Sequence, residues 1–210
     1  LLTSKTNIDV VADFRSADVA AGGEGAPLTP IFHAALSAEL ARPVAILNLG
    51  GVANITWIGA DDALMSFDTG PGNALIDDWM RARKDRPQDA EGQLALTGNV
   101  NEDVLNGLLQ HSYFERPPPK SLDRNDFDST LVRDLSSADG AATLTAFSAA
   151  AVASGLKYLP EVPQRWLATG GGRHNPALMK ALVDRLGSPV APVESVGWNG
   201  DALEAQAFAY

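Results

Sequence analysis

Three short apolar runs, at residues 44–49, 53–58 and 63–67, constrain the fold of this chain more than any other feature. Only a Gly-Gly pair and the turn at 60–62 separate them. Because connections this short cannot hold a crossover helix, the runs predict three antiparallel strands in a meander. A chain of this kind is not the plain alternation of strand and helix that forms dinucleotide-binding sheets.

Helical and strand-like patterns follow the meander. The predicted helices cover 72–83, 100–110, 141–159, 175–186 and 200–210, and the predicted strands cover 166–169 and 189–193. From residue 44 the order is therefore β-β-β-α-α-α-β-α-β-α. This order matches the half-domain of the ribonuclease-H-like, actin-type nucleotide-binding fold, an α/β fold with a mixed sheet, an antiparallel meander and flanking helices.

The segment before the meander has a less regular pattern. An apolar run at 8–12 predicts a buried strand, and the glycine-rich stretch 18–28 predicts an irregular loop. The apolar spacing at 30–40 predicts a helix that begins at a proline. Later in the chain, residues 121–135 predict no single element.

Glycine clusters lie at three junctions between predicted elements, at 47–56, 66–79 and 167–179. Backbone amides near strand ends and helix N-termini bind phosphates, so three such clusters together suggest a nucleotide site. In the first cluster, Gly50-Gly51 alone is most simply a hairpin turn. The functional interpretation is that this hairpin lets phosphates approach the backbone. In that case the flanking side chains of Asn48 and Asn54 contact phosphate or bound water.

The second cluster places Asp68 between a predicted strand and a predicted helix. This carboxylate either caps the turn or serves as a general base beside a phosphate site, and the two roles are compatible. Asp77 and Asp78, further along the helix, are better explained as a solvated face than as contacts to magnesium through water.

The third cluster, Gly170-Gly171-Gly172, predicts a strand-to-helix turn with Asn175 as the helix N-cap. Three glycines also allow a nucleotide's base and ribose to lie against the backbone. Near the end of the chain, Asp201 is a candidate cap for the final helix, and taken alone Glu204 would be an exposed first-turn residue.

Net charge and amino-acid composition limit the kinds of partner and metal site that this chain can have. The formal net charge of −10 argues against nucleic acid and against anionic membranes. The absence of cysteine excludes disulfides, thiolate metal sites and cysteine nucleophiles, and is compatible with the cytoplasm. The three histidines are too scattered to suggest zinc, so no metal ligand is assigned. No apolar stretch is long enough to span a membrane.

Taken together, the motifs resemble the anhydro-N-acetylmuramic acid kinase family of the actin/hexokinase-type superfamily. The stretches that carry the resemblance are VVADFRSADVAAGGEGAPLTPIFH, LNLGGVANIT, FDTGPGNALIDDW, PPKSLDRNDF, GGGRHNPALM and WNGDALEAQAFAY. The resemblance implies an ATP- and Mg²⁺-dependent cytoplasmic enzyme of peptidoglycan recycling, and dimers among family members imply a possible homodimer. In the implied reaction, water attacks C1 of 1,6-anhydro-N-acetylmuramic acid, and O6 receives the γ-phosphoryl group of ATP.

The resemblance also assigns roles to residues. Asp68 matches the family's catalytic aspartate, which activates the water, and Glu204 matches a second acidic residue near that water. The implied nucleotide-binding residues are Asn48, Gly50, Gly51, Asn54, Gly70, Gly170, Gly171, Gly172 and Asn175. The implied sugar-side residues are Asp13, Arg15, Asp18, Gly23 and Gly25, although Asp13, Arg15 and Asp18 alone would be read as a salt bridge.

One departure from the family pattern is the absence of a GTSxDG-type phosphate loop from these 210 residues. The chain is therefore expected to be a C-terminal portion that binds nucleotide poorly by itself. Its predicted parts are the end of a sugar-side domain at 1–42, a nucleotide-binding domain at 43–198 and a closing helix at 199–210. Two alternatives stay open: another actin-fold sugar or acid kinase, and a non-catalytic actin-fold module that binds a nucleotide or a protein partner.

Overall fold

The computed structural model describes residues 2–210 as helices packed on both faces of one mixed sheet. The strands are β1 (Val44–Leu49), β2 (Val52–Ile58), β3 (Leu64–Pro71), β4 (Arg165–Thr169) and β5 (Val190–Pro192). The helices are α1 (Leu2–Thr6), α2 (Phe14–Ala20), α3 (Pro30–Leu36), α4 (Ala74–Lys84), α5 (Glu102–Leu109), α6 (Ser137–Ser154), α7 (Pro176–Leu186) and α8 (Leu203–Ala209). Short 3₁₀ turns connect several of them.

The sheet has the strand order β3-β2-β1-β4-β5. The predicted meander is confirmed, since β1–β2 and β2–β3 pair antiparallel. Strands β4 and β5 extend the sheet in parallel with β1. The predicted actin-type fold class is therefore confirmed.

Helix α6 lies at the centre of the packing. One face of the sheet packs on α6 and α7 through residues such as Leu47, Ile55 and Trp166. The far side of α6 packs on α4 and α5. Because α6 is buried between two layers, it is apolar almost all round, as a fully enclosed helix must be.

The other face of the sheet carries a smaller apolar cluster that includes Ile46, Leu167 and Leu203. Helices α3 and α8 cover this face, and Leu203 brings α8 close to the strand ends. These two short helices do not cover the C-terminal ends of β1, β3 and β4, and a cavity lies there.

The predicted strand at 8–12 is wrong, because these residues form no strand and are exposed. A strand needs a neighbour with which to exchange main-chain hydrogen bonds, and no strand of the described sheet pairs with this run. The predicted loop at 18–28 also begins late, since α2 continues to Ala20. None of the described helices is long and apolar enough to cross a membrane.

Candidate active site

A cavity of about 680 Å³ opens at the C-terminal ends of β1, β3 and β4. It gathers residues from both ends of the chain and from all three glycine clusters or their neighbours. The predicted site residues that line it are Arg15, Asn48, Asn54, Asp68, Gly170, Gly171 and Glu204. Residues 122–125 also line it, although the sequence predicted no role for that segment beyond its family likeness.

Four polar residues form a row across four adjacent strands at the floor of this cavity. Asn48 of β1 is in register with Thr169 of β4 and with Asn54 of β2, and Asn54 is in register with Asp68 of β3. All four line the cavity. The row explains why two asparagines interrupt otherwise apolar strands. Thr169 was not among the predicted site residues, because its place in the row depends on the pairing of β4 with β1.

Asp68 lies inside β3, which continues to Pro71, and not at a junction before a helix. The interpretation of Asp68 as a turn or helix cap is therefore wrong. Its Oδ2 instead accepts a hydrogen bond from the backbone N–H of Leu122, at 2.9 Å. Its own N–H donates to the carbonyl of Lys120, and its carbonyl accepts from the Tyr113 hydroxyl.

The carboxyl of Asp68 is buried, with only 5% of the residue exposed. Burial raises its pKa from 3.8 to about 6, while the Leu122 hydrogen bond and the charge of Arg15 act in the opposite direction. A carboxylate with a pKa near neutrality can accept a proton more readily than an ordinary aspartate. The environment of Asp68 therefore suits a general base.

Lys120 anchors the segment that contacts Asp68. Lys120 is only 2% exposed, and its Nζ lies 4.4 Å from the ring centre of Tyr113 and 5.0 Å from that of Tyr158. The same Nζ donates to the carbonyl of Tyr113. Because Lys120 and Tyr113 both bond to the main chain of Asp68, the three residues form a closed set of contacts behind the cavity.

The Gly50-Gly51 hairpin lies against the start of α4. The carbonyl of Gly50 accepts from the Asn73 amide, and that of Gly51 accepts from the amides of Gly72 and Ala74. These amides are thus engaged within the protein. The amides of Gly72, Asn73 and Ala74 therefore stabilise the hairpin and are not free to bind an anion.

A second, smaller cavity of about 290 Å³ lies beside the first. Gly171 lines both cavities. The predicted nucleotide residues Gly50, Gly51 and Asn175 line only the second. Asp77 also lines it, and burial raises the pKa of that carboxyl. Asp78 is half exposed and pairs with Arg81 and Arg124, consistent with a solvated face.

Two of the predicted nucleotide residues line neither cavity. Gly70 has φ of +154°, and a Cβ there would lie 2.8 Å from the Cβ of Ala151. A Cβ at Gly172 would lie 2.6 Å from the Cβ of Leu49. Both glycines therefore allow close packing next to the site. Asn175 caps α7 as predicted, since its Oδ1 accepts from the Leu178 amide.

The predicted sugar-side residues lie on helix α2 and the segments next to it, and only Arg15 lines the cavity. Arg15 donates to the carbonyl of Gly25, and Asp18 accepts from the amide of Gly25 at 2.7 Å. Gly23 packs against Asp18, and Asp13 bonds to a nearby serine hydroxyl. Within residues 2–210, Arg15 forms no ion pair with either aspartate, so the salt-bridge interpretation is wrong.

At the other end of the chain, Glu204 lies in the first turn of α8 and is exposed to the cavity. The prediction that Asp201 caps this helix is wrong, because α8 has no side-chain cap. Asp201 instead pairs with Arg173, at 2.7 Å. The sequence assigned no role to Arg173, since its partners are distant in sequence.

The family model for "Anhydro-N-acetylmuramic acid kinase" matches residues 1–210. The chain belongs to the anhydro-N-acetylmuramic acid kinase family. It is 59% identical to the kinase of that name from Paramagnetospirillum magneticum, covering all of this chain and 60% of that relative. It is 57% identical to the one from Rhodospirillum rubrum, covering all of this chain and 56% of that relative.

Solved structures show the same fold at low sequence identity. The (R)-2-hydroxyglutaryl-CoA dehydratase component A of Acidaminococcus fermentans matches with a TM-score of 0.53 and 14% identity, covering 86% of this chain and 66% of that one. Xylulose kinase from Rhodospirillum rubrum matches with a TM-score of 0.51 and 15% identity, covering 85% of this chain and 40% of that one. Both support the fold alone.

Proposed function

We propose that this chain is part of an ATP-dependent kinase that opens the 1,6-anhydro ring of anhydro-N-acetylmuramic acid and phosphorylates O6. The chain spans 60% and 56% of the length of two curated relatives of that name, so the proposal concerns the whole polypeptide to which it belongs. The observation that carries the proposal is the polar row ending at Asp68, in which a buried base with a pKa near 6 lies beside amide and hydroxyl side chains.

In this proposal Asp68 takes a proton from water as the water oxygen bonds to C1. The C1–O6 bond breaks, and O6 bonds to the γ-phosphorus as the bond to the ADP oxygen breaks. Ring opening and phosphoryl transfer thus consume one water and one ATP, and yield N-acetylmuramic acid 6-phosphate and ADP. The buried position of Asp68 favours this role, because a base near neutrality is needed.

Glu204, which lines the same cavity as Asp68, is proposed as the second acidic residue. Its side chain is exposed, so a substrate bound in the cavity can contact it. The glycine loop at 170–171 and the asparagines of the row are proposed to face the phosphates and the nucleoside. Phosphoryl transfer depends mainly on such positioning and on neutralised charge.

Mg²⁺ would supply part of that neutralisation. Within residues 2–210 no cluster of three or more histidine, aspartate or glutamate side chains could enclose a cation. The residues present nevertheless fit Mg²⁺, which usually binds through substrate phosphates and water with one or two carboxylates. Asp68 and the side-chain oxygens of Asn48 and Asn54 are the groups proposed to contact its hydration shell.

The test uses the full-length enzyme with Mg-ATP and anhydro-N-acetylmuramic acid in ¹⁸O-labelled water. The product mass should show one phosphate and one labelled oxygen, and free N-acetylmuramic acid should be a poor acceptor. Asp68→Asn should lower the rate of product formation by about 10²- to 10⁴-fold. Asp184→Asn, which removes only an exposed ion pair with Lys180 on α7, should leave turnover unchanged.

The outcomes separate the alternatives. Phosphorylation of a free sugar or of a carboxylic acid in preference to the anhydro sugar would indicate another kinase of this fold. Nucleotide binding without turnover, unaffected by Asp68→Asn, would indicate a non-catalytic module.

A further inference from the structure

The guanidinium of Arg173 connects two walls of the cavity. Its side chain is only 2% exposed, and each of its nitrogens makes a contact. Nη1 donates to the carbonyl of Gly170 at 2.9 Å, Nε to Glu194 at 2.9 Å, and Nη2 to Asp201 at 2.7 Å. A planar guanidinium can hold three partners in fixed directions at once.

The two walls carry different parts of the site. Gly170 belongs to the loop after β4 that lines the cavity, and Asp201 belongs to the turn that leads into α8 and Glu204. This turn is fitted closely to the guanidinium, since a Cβ at Gly200 would lie 2.5 Å from the Nε of Arg173. The amide of Gly200 also donates to Glu194.

We propose that Arg173 is a positioning residue that couples the Gly170 loop to α8, so that a nucleotide seated against the loop orders the helix carrying Glu204. The inference rests on the proposed function for the identity of the ligand and of Glu204. Its physical basis is that one rigid group bonds to both elements. A displacement of the loop carbonyl therefore changes the geometry available to the turn at 199–201.

The two sides of this contact differ in exposure. The bond to the Gly170 carbonyl is within the protein, whereas the side chains of Glu194 and Asp201 are 45% and 79% exposed. Water competes for exposed charged groups and weakens their pairing. The helix side should therefore open more easily than the loop side, and it is the side that ligand binding can stabilise.

The experiment compares four variants of the full-length enzyme: Arg173→Met, Arg173→Lys, Asp201→Asn and, as control, Asp184→Asn. Asp184 forms an exposed ion pair with Lys180 on α7, so its substitution matches the chemistry at Asp201 without touching the cavity. The measurements are kcat, the KM for ATP, and amide hydrogen exchange of residues 203–209 with and without ATP.

Asp201→Asn should lower kcat about fivefold, leave the KM for ATP within about twofold, and remove the protection of α8 by ATP. Arg173→Met loses the bond to the Gly170 loop as well as the bonds to Glu194 and Asp201. It should therefore also raise the KM for ATP, with a fall in kcat/KM of at least about tenfold. Arg173→Lys can restore the bond to Gly170 but not all three contacts. It should therefore recover the KM for ATP more fully than kcat.

The proposal is overturned if Asp201→Asn behaves like Asp184→Asn in kcat and in the protection of α8. It is also overturned if Arg173→Met changes kcat and KM without changing exchange in α8, since the residue would then act on the loop alone. Failure of the proposed function would look different: the wild-type enzyme would not phosphorylate the anhydro sugar. Exchange in α8 without ATP would still test the coupling, since equal rates in wild type and Arg173→Met would refute it.

Discussion

Two buried cations hold different segments next to the same cavity, and they do so by different means. Lys120 lies among aromatic rings and donates to a backbone carbonyl, and within residues 2–210 it has no carboxylate partner. Arg173 pairs with Glu194 and Asp201 and with the carbonyl of Gly170. Lys120 supports the segment that contacts Asp68, and Arg173 supports the turn before Glu204.

Because their partners differ, the ionisable groups around the two cations have pKa values shifted for different reasons. Burial, together with the nearby charges of Lys157 and Arg116, lowers the pKa of Lys120 from 10.5 to about 8. The hydrogen bond and charge of Arg173 instead lower the pKa of Asp201, so that pair stays ionised to lower pH. The Asp68 side is thus held mainly by packing, and the Glu204 side by charge.

The largest effect should come from the two acidic residues themselves. Asp68→Asn should lower kcat by about 10²- to 10⁴-fold, the range of general-base catalysis, and Glu204→Gln should lower it by less. The reason is that Asp68 is buried and poised near neutrality, whereas Glu204 is exposed. Steady-state kinetics of both variants tests this, and an equal or larger loss in Glu204→Gln would break the comparison.

The stability of Asp68→Asn should change in the opposite direction to its activity. Because the folded pKa of Asp68 is raised, the unfolded chain loses this proton at a lower pH than the folded protein. Between pH 3.8 and about 6 the unfolded state therefore binds fewer protons, and wild-type stability falls as pH rises. The substituted amide carries no charge, so we expect Asp68→Asn to have a higher Tm than wild type at pH 7; a lower Tm would contradict this account.

A smaller effect is expected from Lys120→Met. Below pH 8 the folded protein bears the cost of a buried charge, and that cost disappears as pH rises from about 8 to 10.5. The wild type should therefore gain stability across this window relative to Lys120→Met. At pH 7 the two should differ by no more than about 1 kcal/mol, because the lost cation–π contacts offset the relieved burial.

Urea unfolding from pH 7 to 10 measures this difference. Lys84→Met removes an exposed lysine and serves as the control, which should follow the wild type at every pH. A Lys120→Met curve parallel to the wild type would show that Lys120 is not a buried charge.

The smallest effect should come from salt. Raising the ionic strength screens exposed charge pairs much more than buried contacts. Amide exchange in residues 203–209 should accelerate between low and high salt, because Asp201 is exposed. Exchange at Leu122, which donates to the buried Asp68, should not change. Equal acceleration of exchange at Leu122 and in residues 203–209 would show that charge pairing contributes equally to both segments.

The sequence predicted those parts of the fold that depend on neighbours along the chain. The meander was readable because alternating runs and a Gly-Gly turn are local signals. The run at 8–12 has the same local signal but no strand beside it, and so was predicted wrongly. The place of Asp68 was also missed, because β3 continues past it only where Val52 and Ala53 pair with its last residues.

The site was predicted less fully than the fold. The glycine cluster around Asp68 predicted it as a candidate base, family likeness added Glu204, and both line one cavity. Thr169, Lys120 and Arg173 were not selected, because each owes its place to a partner far away in sequence. A lysine in a proline-rich segment is ordinarily exposed, and nothing local shows that Lys120 lies among three aromatic rings.

The polar row across β4, β1, β2 and β3 has a consequence for how such a site can change. Neighbouring strands are held about 4.8 Å apart by main-chain bonds, so four positions span about 14 Å with fixed spacing. The main-chain hydrogen bonds between the strands fix this spacing, so substitutions in the surrounding loops do not change it. Sequence changes in those loops can therefore alter what the cavity admits, while the distance from Thr169 to Asp68 stays the same.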